Sequence, residues 1–86
     1  MNEGSDVTGR IRRVIGEHGH LPVDIATIGD ETDLFQAGMT SHASVNVMLA
    51  LEGAFDVEFP DHMLKRSVFE SISAIRGAIE ELTKAA

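Results

Sequence analysis

The 86 residues contain no linker-like stretch and are read as one domain over residues 1–86, short enough to bury only roughly 60 to 65 % of the unfolded surface. The absence of cysteine excludes a disulfide framework and a cysteine-ligated zinc, and it points to a reducing, cytoplasmic setting. Fourteen acids against seven Lys and Arg give a formal charge of -7, a surface that repels phosphate backbones and so disfavours nucleic acid while attracting basic protein partners. The N-terminal Met1-Asn2-Glu3-Gly4 lacks a basic region followed by an apolar run. No segment approaches the ~18 uninterrupted apolar residues of a membrane span, so no membrane partner is expected.

The first helix is predicted from Asp6, as its N-cap, to about His18. Val7, Ile11, Val14 and Ile15 recur at the spacing of one helical face, and Gly19 follows as a stop. From Leu21-Pro22 through Ile25 and Ile28 to Asp30, Glu31 and Asp33 no period is sustained. This reads as a long loop anchored by isolated apolar side chains, and loops of that length are often functional. Gly38 ends it, and a second helix is predicted from Thr40 or Ser41 to near Phe55, with Val47, Met48, Leu51, Ala54 and Phe55 facing the core. His42, Asn46, Leu49 and Gly53 then lie roughly opposite. Pro60-Asp61 opens a short helical turn through Met63 and Leu64. Ser71 caps a last helix with Ile72, Ile75, Ile79 and Leu82 on one side, and Phe69 staples its start. Without convincing strand alternation, the pattern gives an all-α four-helix bundle of three longer helices and one short one.

The basic residues are unevenly spread: residues 21 to 64 hold acids but no Lys or Arg. Within that segment, Gly38-Met39-Thr40-Ser41 puts a hydroxyl at the start of a helix, directly after a flexible loop. Ser41 is either an approachable site of chemistry or an ordinary N-cap, and position alone does not separate the two. Ser41 and His42 do not form a nucleophile and base, because consecutive helical residues point about a hundred degrees apart. There is no Gly-x-Ser-x-Gly elbow either, so the chain is not expected to be an enzyme. His18 and His20 flank Gly19 without further ligands and read as surface or C-cap residues rather than a metal site. Asp30-Glu31-Thr32-Asp33 lacks the glycine and closing glutamate of a calcium loop and reads as solvated.

From Asp33 onward the chain resembles the acyl carrier protein family. An acidic residue with a hydrophobic pair, Asp33-Leu34-Phe35, precedes a Gly-x-x-Ser at Gly38-Met39-Thr40-Ser41. Phe55-Asp56-Val57-Glu58-Phe59-Pro60-Asp61 is similar to the family's segment after helix II, and Ser67-Val68-Phe69-Glu70-Ser71-Ile72 to the lead into its last helix. The resemblance covers roughly residues 33 to 82, with the first helix agreeing in pattern only. It implies a four-helix carrier of acyl-carrier type whose Ser41 is esterified by 4'-phosphopantetheine, so that a thiol on a long tether holds its cargo at high effective concentration for successive active sites. A phosphodiester there would lie near helix N-terminal amides.

The chain departs from the usual family pattern with Thr40 before the serine and His42 after it, and with no acid between Ser41 and Glu52. The Gly-Met-Thr-Ser-His version is similar to stand-alone carriers charged by amino acid ligases related to seryl-tRNA synthetases. This implies an aminoacyl thioester rather than a fatty acyl one. The partners expected are a phosphopantetheinyl transferase, such a ligase and a downstream acceptor enzyme or protein, with the carrier itself a monomer that catalyses nothing. Because the outward side of helix II is uncharged, His42, Asn46 and Leu49 are expected to form part of the partner face, read through shape and apolar contact. The rival reading is an unmodified helical interaction module that docks through helix II, with Ser41 merely capping it.

Overall fold

The computed structural model describes residues 3–85 and the side chains of residues 7–84. Among these residues the chain forms four α-helices: α1 Glu3–His18, α2 Ser41–Phe55, α3 Arg66–Phe69 and α4 Ile72–Ala85. One-turn 3-10 helices at Ile25–Thr27 and Asp61–Met63 interrupt the connections. The all-helical arrangement with three long helices agrees with the carrier-type bundle expected from the sequence.

Helix α1 begins at Glu3, before the predicted start, so Asp6 lies inside the helix rather than capping it. Aspartate is accepted both at a cap and within a first turn, so the residue type alone does not mark the boundary. At the other end Gly19 is buried and donates its N–H to Ile15 O at 2.8 Å. A Cβ there would stand 2.7 Å from the same oxygen, so only glycine fits. His20 then takes the left-handed conformation, φ 52°, that turns the chain away from the helix.

The core is a three-helix seam. Ile11, Val14 and Ile15 of α1 meet Ala43, Val47 and Leu51 of α2 and Ile72, Ile75, Ala78 and Ile79 of α4, with α1 packed against both other long helices. Ile11, Ile15, Val47, Leu51 and Ile75 are fully buried, each burial contributing about 1.5 to 3 kcal/mol. Of the predicted inward face of α2, Val47 and Leu51 are fully covered, while Met48, Ala54 and Phe55 lie half-buried at its edge. Phe59 and Phe69 close the bottom of the seam edge to face, ring centroids 5.3 Å apart. Ser71 caps α4 as expected, its Oγ accepting from Ala74 N at 3.0 Å.

The short helical turn expected after Pro60 is present as the 3-10 turn Asp61–Met63, and a short α-helix not anticipated, α3, follows it. Proline favours the start of a helical turn, but Leu64 leaves the helical region with ψ 68°. The chain therefore restarts at Arg66.

The long α1–α2 connection is tied down along its length. Arg12 donates to Ile25 O and to Ile28 O at 3.2 and 2.7 Å, and its other nitrogen meets Asp30 Oδ1 at 2.5 Å. Ser73 donates its backbone N–H to Asp30 O and its hydroxyl to Glu31 Oε2. Ile28 and Leu34 anchor in the core. The Cα radius of gyration, 11.9 Å, is close to the roughly 12 Å of a fully packed chain of this length, so the connection is folded into the body.

Candidate functional site

The site begins with the turn ahead of α2. Asp33 Oδ1 accepts the N–H groups of Phe35 and Gln36 at 2.9 and 3.1 Å, closing an Asx-type turn over residues 33–36. Leu34 is fully buried, and its N–H donates to Glu70 O at 2.7 Å, which fixes the turn to the junction of α3 and α4. Gly38 has φ +123°, a conformation side chains rarely adopt, and its missing Cβ makes room for the Pro22 ring. Met39, buried beneath, is drawn back by a bond from its N–H to Leu34 O at 3.0 Å. The chain thus reaches α2 in a fixed direction.

Thr40 is the N-cap. It is extended (φ -80°, ψ 164°), its Oγ1 accepts from Ala43 N at 3.0 Å, and its carbonyl accepts from Ser44 N. Capping is therefore done by Thr40 and not by Ser41. Ser41 is the first helical residue and is exposed, and among the described residues its hydroxyl has no hydrogen-bond partner.

Ser41 stands at one wall of a groove of about 330 Å³ between α2 and the segment leading into α3. Phe35, Val45, Met48, Leu64 and Phe69 supply its apolar lining, and Lys65 and Arg66 its charge. No carboxylate of the described residues lines it. The sole acid of α2, Glu52, is turned to structural use, accepting the N–H of Phe59 at 2.8 Å.

The exposed stripe of α2 runs Ser41, Val45 and Leu49, one turn apart, with Val45 and Leu49 51% and 56% exposed. His42 flanks it and is exposed, whereas Asn46 is half-buried at its edge. Of the residues expected to share the outward face, His42 and Leu49 are open to solvent and Asn46 only partly. Val45 and Leu64 were not anticipated. Val45 was legible as the residue four after Ser41, but Leu64, Lys65 and Arg66 reach the site only through the fold. The four-residue spacing from Ser41 is the signal that separates this stripe from the one through Asn46.

The arrangement fits a covalently attached anionic group. It offers an exposed hydroxyl free of internal bonds, cations on the facing wall and an apolar channel beside it. The family described as "Phosphopantetheine attachment site" matches residues 7–79. The aminoacyl carrier protein of Agrobacterium fabrum is 49% identical over 70 residues, covering 81% of this chain and 84% of its own. A chain in the crystal structure of engineered Bradyrhizobium japonicum glycine:carrier protein ligase complexed with carrier protein from Agrobacterium tumefaciens and ATP superimposes with a TM-score of 0.85. It is 45% identical, with 87% of this chain and 97% of that one covered. A chain in the structure of the Bradyrhizobium japonicum ligase complexed with glycylated carrier protein gives a TM-score of 0.74 at 25% identity, covering 85% and 97%. The chain belongs to the phosphopantetheine attachment-site family, alongside the aminoacyl carrier proteins, and is a carrier whose cargo is handled by separate enzymes.

Proposed function

We propose that this chain is one carrier domain that bears 4'-phosphopantetheine on Ser41 and holds an aminoacyl group there as a thioester, charged by a separate amino acid ligase. The observation that carries the assignment is the division of labour at the start of α2. Thr40 takes the cap, and Ser41 keeps an exposed hydroxyl with no internal partner among the described residues. If Ser41 served only to cap the helix, as in the rival interaction-module reading, its oxygen would be turned back onto the first-turn amides; here that place is filled by its neighbour.

The residues of the chain divide the work. Gly38 and Asp33 fix the turn that delivers Ser41, and Thr40 satisfies an orphan amide of the helix start. The arm supplies a thiol on a tether, which keeps one substrate at high effective concentration over successive active sites. Val45 and Leu49, with His42 beside them and Asn46 at the edge, form the face offered to the ligase and the transferase. Its lack of charge favours recognition by shape and apolar contact. No helix among the described residues is long and apolar enough to cross a membrane, and we place the carrier, as a monomer, in the cytoplasm. The structure of a glycylated carrier with its ligase makes glycine the first cargo to test, and an acyl- or aminoacyl-consuming acceptor completes the cycle.

Intact mass before and after incubation with coenzyme A and a broad-specificity phosphopantetheinyl transferase tests the reading, with Ser41→Ala alongside. A gain of one phosphopantetheine on the wild type alone is expected, followed by a further gain of one amino acid with ligase and ATP. An unmodified wild type across several transferases, or equal modification of Ser41→Ala, refutes it.

A further inference from the structure

Among the described residues, two adjacent cations of this acidic chain have no ion-pair partner. Most of the other basic side chains of the described residues are engaged. Arg10 bonds Ala54 O and lies over the Phe55 ring, Arg12 holds Asp30 and two carbonyls, and Arg76 pairs with Glu80 and Thr8. Among the described residues Lys65 and Arg66 have no carboxylate within ion-pair distance, although the chain carries twice as many acids as basic residues. Both are exposed, and both line the groove that Ser41 opens.

Arg66 is also oriented. Its guanidinium lies 4.3 Å from the centre of the Phe35 ring, and Phe35 belongs to the turn that delivers Ser41. A guanidinium resting on an aromatic face keeps its in-plane N–H donors free, and that planar fork matches phosphate oxygens. Phe35 thus holds a phosphate-binding group in the groove of the candidate attachment serine, beside Lys65 and in a lining that is largely apolar and free of acids among the described residues.

We propose that Arg66, assisted by Lys65, binds the phosphodiester of the arm and so holds the base of the arm at the mouth of the groove. The inference rests on the reading of Ser41 as the attachment point and adds two positioning residues to it. The bond is charge-assisted but solvent-exposed, so salt weakens it. The cations occupy the place of a partner for the arm's one fixed negative charge; the thiol end remains mobile beyond them.

The test uses apo and holo protein, the conversion verified by mass. The Arg66 Nε–Hε resonance and the 31P resonance of the holo protein are followed by NMR in the wild type, Arg66→Gln and Lys65→Gln. In the wild type the Arg66 resonance is expected to shift on conversion and to return towards its apo position near 1 M NaCl, where screening acts within about 3 Å. The 31P resonance should move to that of a free phosphodiester in Arg66→Gln and part of the way in Lys65→Gln. The wild-type comparison stands whether or not either variant folds. A confirmed mass gain with an unmoved Arg66 resonance overturns the anchor and leaves the carrier reading intact. Slower ligase loading of Arg66→Gln combined with unmoved resonances assigns the cations to a partner protein and also overturns it. Failure of the mass gain removes the attachment at Ser41, and the anchor with it.

Discussion

Replacing Gly38 by alanine tests how firmly the turn ahead of Ser41 is held. Gly38 has φ +123°, and a Cβ built on it falls 2.5 Å from Pro22 Cδ and 2.8 Å from Cγ. The backbone conformation alone costs a side chain about 1 to 3 kcal/mol, and forcing a methyl into occupied space costs about 1 to 3 kcal/mol more. The sum, roughly 2 to 6 kcal/mol, is a large share of the roughly 4 to 13 kcal/mol expected for a domain of this length. At about 4 to 8 °C per kcal/mol, the melting temperature followed by far-ultraviolet circular dichroism should fall by roughly 10 °C or more. Pro22→Ala in the same chain separates the two costs, because it removes the collision and leaves the φ penalty. The double variant should therefore recover part of the loss, with a coupling of about 1 kcal/mol or more. A Gly38→Ala protein melting within about 2 °C of the wild type would refute the argument, since the turn would then have to accept both a side chain and a displaced Pro22 without cost.

Thr40→Ala removes the acceptor of Ala43 N and should destabilise the fold by about 0.5 to 2 kcal/mol in urea unfolding; an unchanged midpoint would mean that Ser41 takes over the cap. Arg12→Ala deletes the bonds to Ile25 O and Ile28 O together with the Asp30 pair. With Asp30 half-exposed the ion pair adds little, so the loss, about 2 kcal/mol by denaturant unfolding, comes mainly from the two carbonyls; a change below about 0.5 kcal/mol would show that the connection is held by its apolar anchors alone. Leu49→Glu places a charge on a side chain 56% exposed and should leave stability within about 0.5 kcal/mol of wild type. Aminoacylation by the ligase should nevertheless slow severalfold, and unchanged loading kinetics would exclude Leu49 from the docking face.

Much of the bundle was legible because the forces that set it are local. The i, i+4, i+7 spacing of Val7, Ile11 and Val14 depends only on helical pitch, and the Thr40 and Ser71 caps join a hydroxyl to an amide three residues on. Ser41, by contrast, was singled out by the resemblance of Gly38-Met39-Thr40-Ser41 to the carrier family, since its place at a helix start left simple capping open. The start of α1 was misplaced because an acid is equally at home as a cap or inside a first turn. The helical turn after Pro60 was legible, whereas α3 was missed because four residues are too few to show a helical period.

What surrounds Ser41 was decided only by tertiary packing. Asn46 and Leu49 are both outward by helical phase, yet one is half-buried and the other open, because coverage depends on the neighbouring segments rather than on the helix itself. Lys65 and Arg66 lie far along the chain from Ser41, and no periodicity links them to it. They arrive at the groove because Leu34 N–H bonds Glu70 O and Phe69 packs on Phe59, which docks α3 beside the turn that carries Phe35. Thus the long helices were legible from helical pitch and short-range hydrogen bonds, and the serine from its resemblance to a family; the cationic, apolar setting of that serine required long-range contacts that only the folded chain can make.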